Sequence, residues 1–193
     1  MSAVIERTLP RRREKSVDDL IAELYRTEGK AEIVNGEIVK FMAAGCEPSI
    51  AVSNIALSLK LYQRQNNFGR VFIGSVAFLV NLPHRKSFSP DASFYIGDRA
   101  GMKFPQGAPL FAVEVRSEYE YGARAEREIV EKRRDYFAAG TEFVWDVDLQ
   151  SADVIRSYDR NNPDETQIFR RGDAANAEPA LPGWTIAVNE LFE

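Results

Sequence analysis

Two long segments with the apolar spacing of buried helices, separated by a series of short β-branched and aromatic runs, constrain this chain most. From Glu47 to Asn66, Val52, Ile55, Ala56, Leu59 and Tyr62 follow the i, i+3, i+4, i+7 pattern, and Ile50, Leu57 and Leu61 widen the stripe. The stretch ARAEREIVEKRRDYFAAG is helical by its Ala, Glu, Lys and Arg content and by the spacing of Ile129, Val130, Arg133 and Phe137, with Gly140 as its C-cap. Between the two lie RVFIG, SVAFLVNL, DASFYI and LFAVEVR, each rich in Val, Phe or Ile, and TEFVWDVD follows the second helix. Such runs read as strands. The order helix, three or four strands, helix, strand requires helices to cover apolar sheet faces. That is an α/β or α+β layer arrangement.

The flanks extend the same plan. Ser16 precedes VDDLIAELYRTEG, where Leu20, Ile21, Leu24 and Tyr25 recur at helical spacing and Asp18 and Asp19 occupy the first turn. AEIVNGEIVKFM holds two apolar-rich runs around Asn35-Gly36, a pair suited to a tight hairpin. Toward the C-terminus, DVIRSYD and TQIFRR suggest a further hairpin, and Pro182-Gly183 introduces a short strand at WTIAV. With 193 residues and no repeat or low-complexity linker, one domain over residues 16–193 behind a polar leader, residues 1–15, is the expected organisation.

Composition excludes several classes. At 45% hydrophobic and 28% charged the chain matches ordinary globular proteins, and no apolar run is long enough to span a bilayer. A cytoplasmic location with no membrane partner is expected. A single cysteine, Cys46, and a single histidine, His84, rule out an intramolecular disulfide and a Cys/His zinc centre, so any metal must use oxygen ligands. The net charge of −4 argues against a protein that coats nucleic acid by bulk attraction. Positive charge is nevertheless gathered at Arg11, Arg12, Arg13 and Lys15 and again at Arg124, Arg127, Lys132, Arg133 and Arg134, which composition alone reads as a solvated tail and a charged helix face.

Two carboxylates sit in otherwise apolar strands: Asp91 at the start of DASFYI, and Glu114 within LFAVEVR. An ionised group there is costly unless it is paired or binds a cation. Glu114 and Arg116 are two apart and project from one face of the strand, so spacing alone favours an ion pair between them.

Pro90-Asp91, the run Glu114-Val115-Arg116-Ser117, the run from Glu131 to Gly140 and the run from Phe143 to Asp148, in this order, resemble the Uma2 family (DUF820) of the restriction-endonuclease-like PD-(D/E)XK superfamily. Glu32 to Val39 resembles the hairpin with which its members begin, and the resemblance spans roughly residues 16–192. It implies a restriction-endonuclease-like core, a central mixed sheet flanked by helices, with an N-terminal hairpin and additional C-terminal strands. It also implies Mg²⁺ or Mn²⁺ as cofactor, DNA as substrate and Asp91 and Glu114 as metal ligands. A hard ion of this kind takes one or two protein carboxylates and leaves room for water and a phosphate oxygen, where it offsets growing charge and acidifies water.

The chain departs from the superfamily at the third signature position, where Arg116 stands in place of lysine and cannot readily give up a proton. The resemblance points to Lys132, on the following helix, as the migrated lysine, and to Glu32 as an added acidic ligand of the metal. The plain alternatives are a Glu128–Lys132 surface pair and a strand-edge charge at Glu32. Tyr136, Trp145 and Trp184 read as core, His84 as a loop residue beside Arg85 and Lys86. The leading expectation is a DNA endonuclease working with Asp91, Glu114, Lys132 and Arg116; the alternative is a catalytically silent scaffold that binds nucleic acid or protein. Double-strand cutting would suit a symmetric homodimer.

Overall fold

In the computed structural model, which describes residues 15–193, the two periodic segments form α2 (Cys46–Asn66) and α3 (Ala123–Ala139). Between and after them run β3 (Arg70–Ile73), β6 (Ala92–Tyr95), β7 (Phe111–Val115), β8 (Phe143–Val147), β9 (Ile155–Asp159) and β10 (Asn162–Phe169). These six pair in the order β10-β9-β8-β7-β6-β3. Only β7 and β8 are parallel, and α3 is the crossover that parallel neighbours require. The other contacts are antiparallel, so the sheet is mixed as expected.

Strand alternation decides which face receives charge. Phe111, Val113 and Val115 of β7, with Trp145 and Val147 of β8, pack against Ala51, Ile55 and Leu59 of α2 in the main core. The intervening positions are Ala112, Glu114 and Arg116 on one strand and Val144 and Asp146 on the other, and this face meets α3. The apolar layer there is thin, consisting of Phe88, Ala112, Tyr136 and Val144. Charged side chains that the α2 face would reject are therefore concentrated beneath α3.

Smaller elements surround this frame. α1 (Val17–Leu24) starts at a capping box between Ser16 and Asp19. β1 (Ala31–Val34) and β2 (Glu37–Lys40) form the expected hairpin, with Asn35 at φ 51° and Gly36 at φ 74°, the positive values that a two-residue turn of this hand demands. β11 (Ala174–Asn176) and β12 (Thr185–Ala187) pair, and a 3-10 turn over Val188–Phe192 packs on α2. No helix among the described residues is long and apolar enough to cross a membrane.

One expected strand is largely lost. Of SVAFLVNL only β4 (Phe78–Leu79) is extended, and it pairs with β5 (Ser87–Phe88) as a separate ribbon. The turn through Pro83 folds the chain back, and the segment leaving it is claimed by β1: Asn35 N donates to His84 O at 2.6 Å, and Lys86 N to Ile33 O at 2.9 Å. Residues 1–14, with most of the expected leader and its arginine cluster, lie outside the described residues.

Candidate active site

Asp91 and Glu114 come together because β6 and β7 are neighbours in antiparallel register, with Ala92 opposite Val113. Asp91 precedes β6 and is fixed from both ends: its backbone N–H donates to Val113 O at 3.0 Å, and its Oδ2 accepts from the Val115 backbone N–H at 2.8 Å. That leaves Oδ1 facing outward. Glu114 Oε1 accepts from the Tyr136 hydroxyl at 2.6 Å and lies 2.7 Å from Lys132 Nζ. Its Oε2 faces the same opening as Asp91 Oδ1.

A cation stands at that opening. Lys30, at the base of the hairpin, places Nζ 2.6 Å from Asp91 Oδ1 and 3.6 Å from Glu114 Oε2. The two free carboxylate oxygens thus converge on one positive charge. Lys132 approaches from the opposite, helix side. The ring of Phe41 lies under both ammoniums, at 5.3 Å from Lys30 and 5.1 Å from Lys132.

Behind this pair is a chain of buried ion pairs. Glu32 is 1% exposed; Oε1 accepts from the Ser89 backbone N–H and pairs with Lys132, both at 2.9 Å, while Oε2 pairs with Arg85. Arg85 Nε donates to Asp135 Oδ2 at 2.8 Å, and Asp135 Oδ1 meets the His84 ring at 2.8 Å. Lys132 is therefore held between two carboxylates inside the protein. It makes no pair with Glu128, which bonds Arg124 on the surface instead.

Arg116 does not join this group. It emerges from β7 next to Asp146, whose strand position is in register with Glu114, and makes a two-pronged contact to it at 2.7 and 2.6 Å. Glu126 of α3 takes the remaining side of the guanidinium. The pairing of Glu114 with Arg116 expected from spacing is replaced by these contacts, because on a twisted sheet under a helix the adjacent strand offers a better-aligned carboxylate.

The charges shift one another in opposing ways. Burial, and then the charge of Glu114, push Asp91 above the usual carboxylate range. For Glu114 burial is also the largest influence and acts upward, but Lys132 and Lys30 together outweigh it and hold the group low. Burial pulls Lys132 and Lys30 down, and their carboxylate neighbours more than restore them, so both remain ammonium. The Tyr136 hydroxyl is driven well up by burial and by Glu114, and stays a donor.

These residues fit a hard divalent ion. Among the described residues no three His, Cys, Asp or Glu gather as a ready-made metal cluster. What is gathered is a pair of carboxylates, each with one oxygen restrained and one directed at a common cation position, and a pair suffices for an ion that keeps most of its water. Both oxygens of Glu32 are already engaged. Asp91 and Lys30 border a cleft of about 620 Å³ that is also lined by Lys40, Ser49, Ser53 and Ser117.

Sequence reasoning did not find Lys30, Phe41, Arg85 or Asp135. A signal for Lys30 existed, since it stands two residues before Glu32 and shares its side of an extended segment. Tyr136 and Trp145 are buried as expected, Tyr136 with its hydroxyl on Glu114.

The model of the Uma2 family, described as "Putative restriction endonuclease", matches residues 17–189. A search of curated proteins finds no match. Among solved structures, the chain resembles a protein from Anabaena variabilis described as a putative nuclease belonging to DUF820. The TM-score is 0.71 at 16% identity, covering 90% of this chain and 97% of that one, which shows a shared fold.

Proposed function

Since the chain belongs to the Uma2 family, we propose that it is a metal-dependent endonuclease hydrolysing phosphodiester bonds in DNA, with Asp91 and Glu114 as ligands of Mg²⁺ or Mn²⁺. The observation that carries this reading is the convergence of Asp91 Oδ1 and Glu114 Oε2 on one cation position, where Asp91 borders a cleft. Bound there, the ion supplies charge neutralisation at the phosphate and an acidified water.

The chain's own residues do the rest. Tyr136 and Lys132 orient Glu114 by holding its inner oxygen, and Val115 orients Asp91 in the same way. Lys132 would also place positive charge beside Glu114, 2.7 Å from its Oε1, where it could offset charge that develops at the site. Glu32, whose oxygens are spent on Ser89, Arg85 and Lys132, positions the lysine. Arg116 fastens β7, β8 and α3 together through Asp146 and Glu126. Cutting both strands needs two such centres, which a symmetric pair of chains provides.

Calorimetry with Mn²⁺ tests the metal seat, and cleavage of plasmid, single-stranded DNA and RNA with Mg²⁺ or Mn²⁺ tests the reaction. The expected outcome is metal binding and DNA cleavage by the native chain, with both lost in folded Asp91→Ala and Glu114→Ala variants. A native chain that binds neither ion and leaves every substrate intact across a pH series defeats the proposal.

A further inference from the structure

Two lysines contact the carboxylate pair, and they are held very differently. Lys132 is fixed on α3 between Glu114 and Glu32, and Glu32 is itself anchored by Ser89 and Arg85. Among the described residues Lys30 has Asp91 as its one close partner, with Glu114 at 3.6 Å. It also lies at the mouth of a small hairpin that stands outside the six-stranded sheet, and its side chain lines the open cleft beside Lys40. One ammonium is part of the wall; the other fills the seat.

Resting on the reading of Asp91 and Glu114 as a metal seat, we infer that Lys30 is an exchangeable counter-cation, which holds the two carboxylates in the metal-free protein and yields to the divalent ion. Two facing carboxylates without a cation repel each other, and a lysine at that point offsets the repulsion until a metal arrives. A metal and an ammonium cannot share the position. Once displaced, Lys30 remains tethered in the cleft, where the nearest chemistry suited to it is the anionic backbone of the nucleic acid. Metal and DNA then reinforce each other, since each gives a partner to a group the other releases, and such coupling is reciprocal.

The test is calorimetric titration of Mn²⁺ into the native chain and into Lys30→Met, each with and without a short DNA duplex bearing phosphorothioate linkages that resist cutting. Lys30→Met keeps an unbranched apolar side chain and removes the competing charge, so it should bind Mn²⁺ about tenfold more tightly than the native chain without DNA. The duplex should tighten Mn²⁺ binding to the native chain and do so less for the variant. Melting curves give an independent readout: without metal Lys30→Met should melt below the native chain, and Mn²⁺ should close the gap. Lys30→Gln serves the same comparison if the methionine variant does not fold. Equal Mn²⁺ affinity in native and variant chains, or equal enhancement by DNA, overturns the role of Lys30 and leaves the metal seat standing. Absence of Mn²⁺ binding in every chain overturns both.

Discussion

Glu32 shows what a single side chain has at stake here. It is 1% exposed and carries three donors, so removing Arg85 leaves a buried carboxylate short of its strongest partner. Breaking such a pair costs about 3–5 kcal/mol, and Arg85→Ala should lose that much in urea denaturation. A loss below about 1 kcal/mol would mean that water or Lys132 already satisfies Glu32. Tyr121 offers a second residue-level check. Burial, followed by its hydrogen bond to Asp148, pushes its phenol up to about 12 from 10.0. A group raised on folding favours the folded state below its ordinary value and loses that contribution as pH rises through 12. The ultraviolet difference titration between the native chain and Tyr121→Phe should therefore have its midpoint near 12, and a midpoint near 10 contradicts the contact. At this scale the sequence exposed Asp91 and Glu114 as ionised groups in otherwise apolar strands, while Lys132 and Glu32 came from the family resemblance. Lys30 was hidden, since a lysine before a hairpin is ordinary until the fold places two carboxylates beside it.

At the scale of elements, two glycines separate backbone strain from steric conflict. Gly140 ends α3 at φ 108°, and an added methyl meets open space, so Gly140→Ala should cost about 1–2 kcal/mol from the left-handed conformation alone. Gly69 joins α2 to β3 at φ 66°, and there a Cβ falls 2.1 Å from the ring of buried Phe94. Gly69→Ala should melt at a clearly lower temperature than Gly140→Ala, and the reverse order contradicts the packing of this corner. Both helices, the Asn35-Gly36 hairpin and the alternation along β7 were readable from periodicity and turn chemistry. The run at 75–82 was not, since an unbroken apolar stretch carries no period to say which sheet it joins.

For the molecule as a whole, the C-terminal stretch belongs to the main core. Leu181, Trp184, Ile186, Val188 and Leu191 are at most 3% exposed and pack with α2, β7 and β8. Burying five such side chains contributes on the order of 10 kcal/mol, comparable with the roughly 5–15 kcal/mol net stability of a typical domain. A chain truncated after Ala180 should lose cooperative unfolding, and a truncated chain with native-like calorimetry contradicts this. The hairpin has a different kind of consequence. It stands outside the six-stranded sheet, yet it delivers Lys30 to Asp91, 61 positions further along the chain, and Glu32 and Phe41 to Lys132, which lies further still. Contacts so distant in sequence close late. During synthesis the hairpin can form as soon as it is made, but it must wait for α3, so a growing chain holds no competent centre until nearly three-quarters of it has been translated.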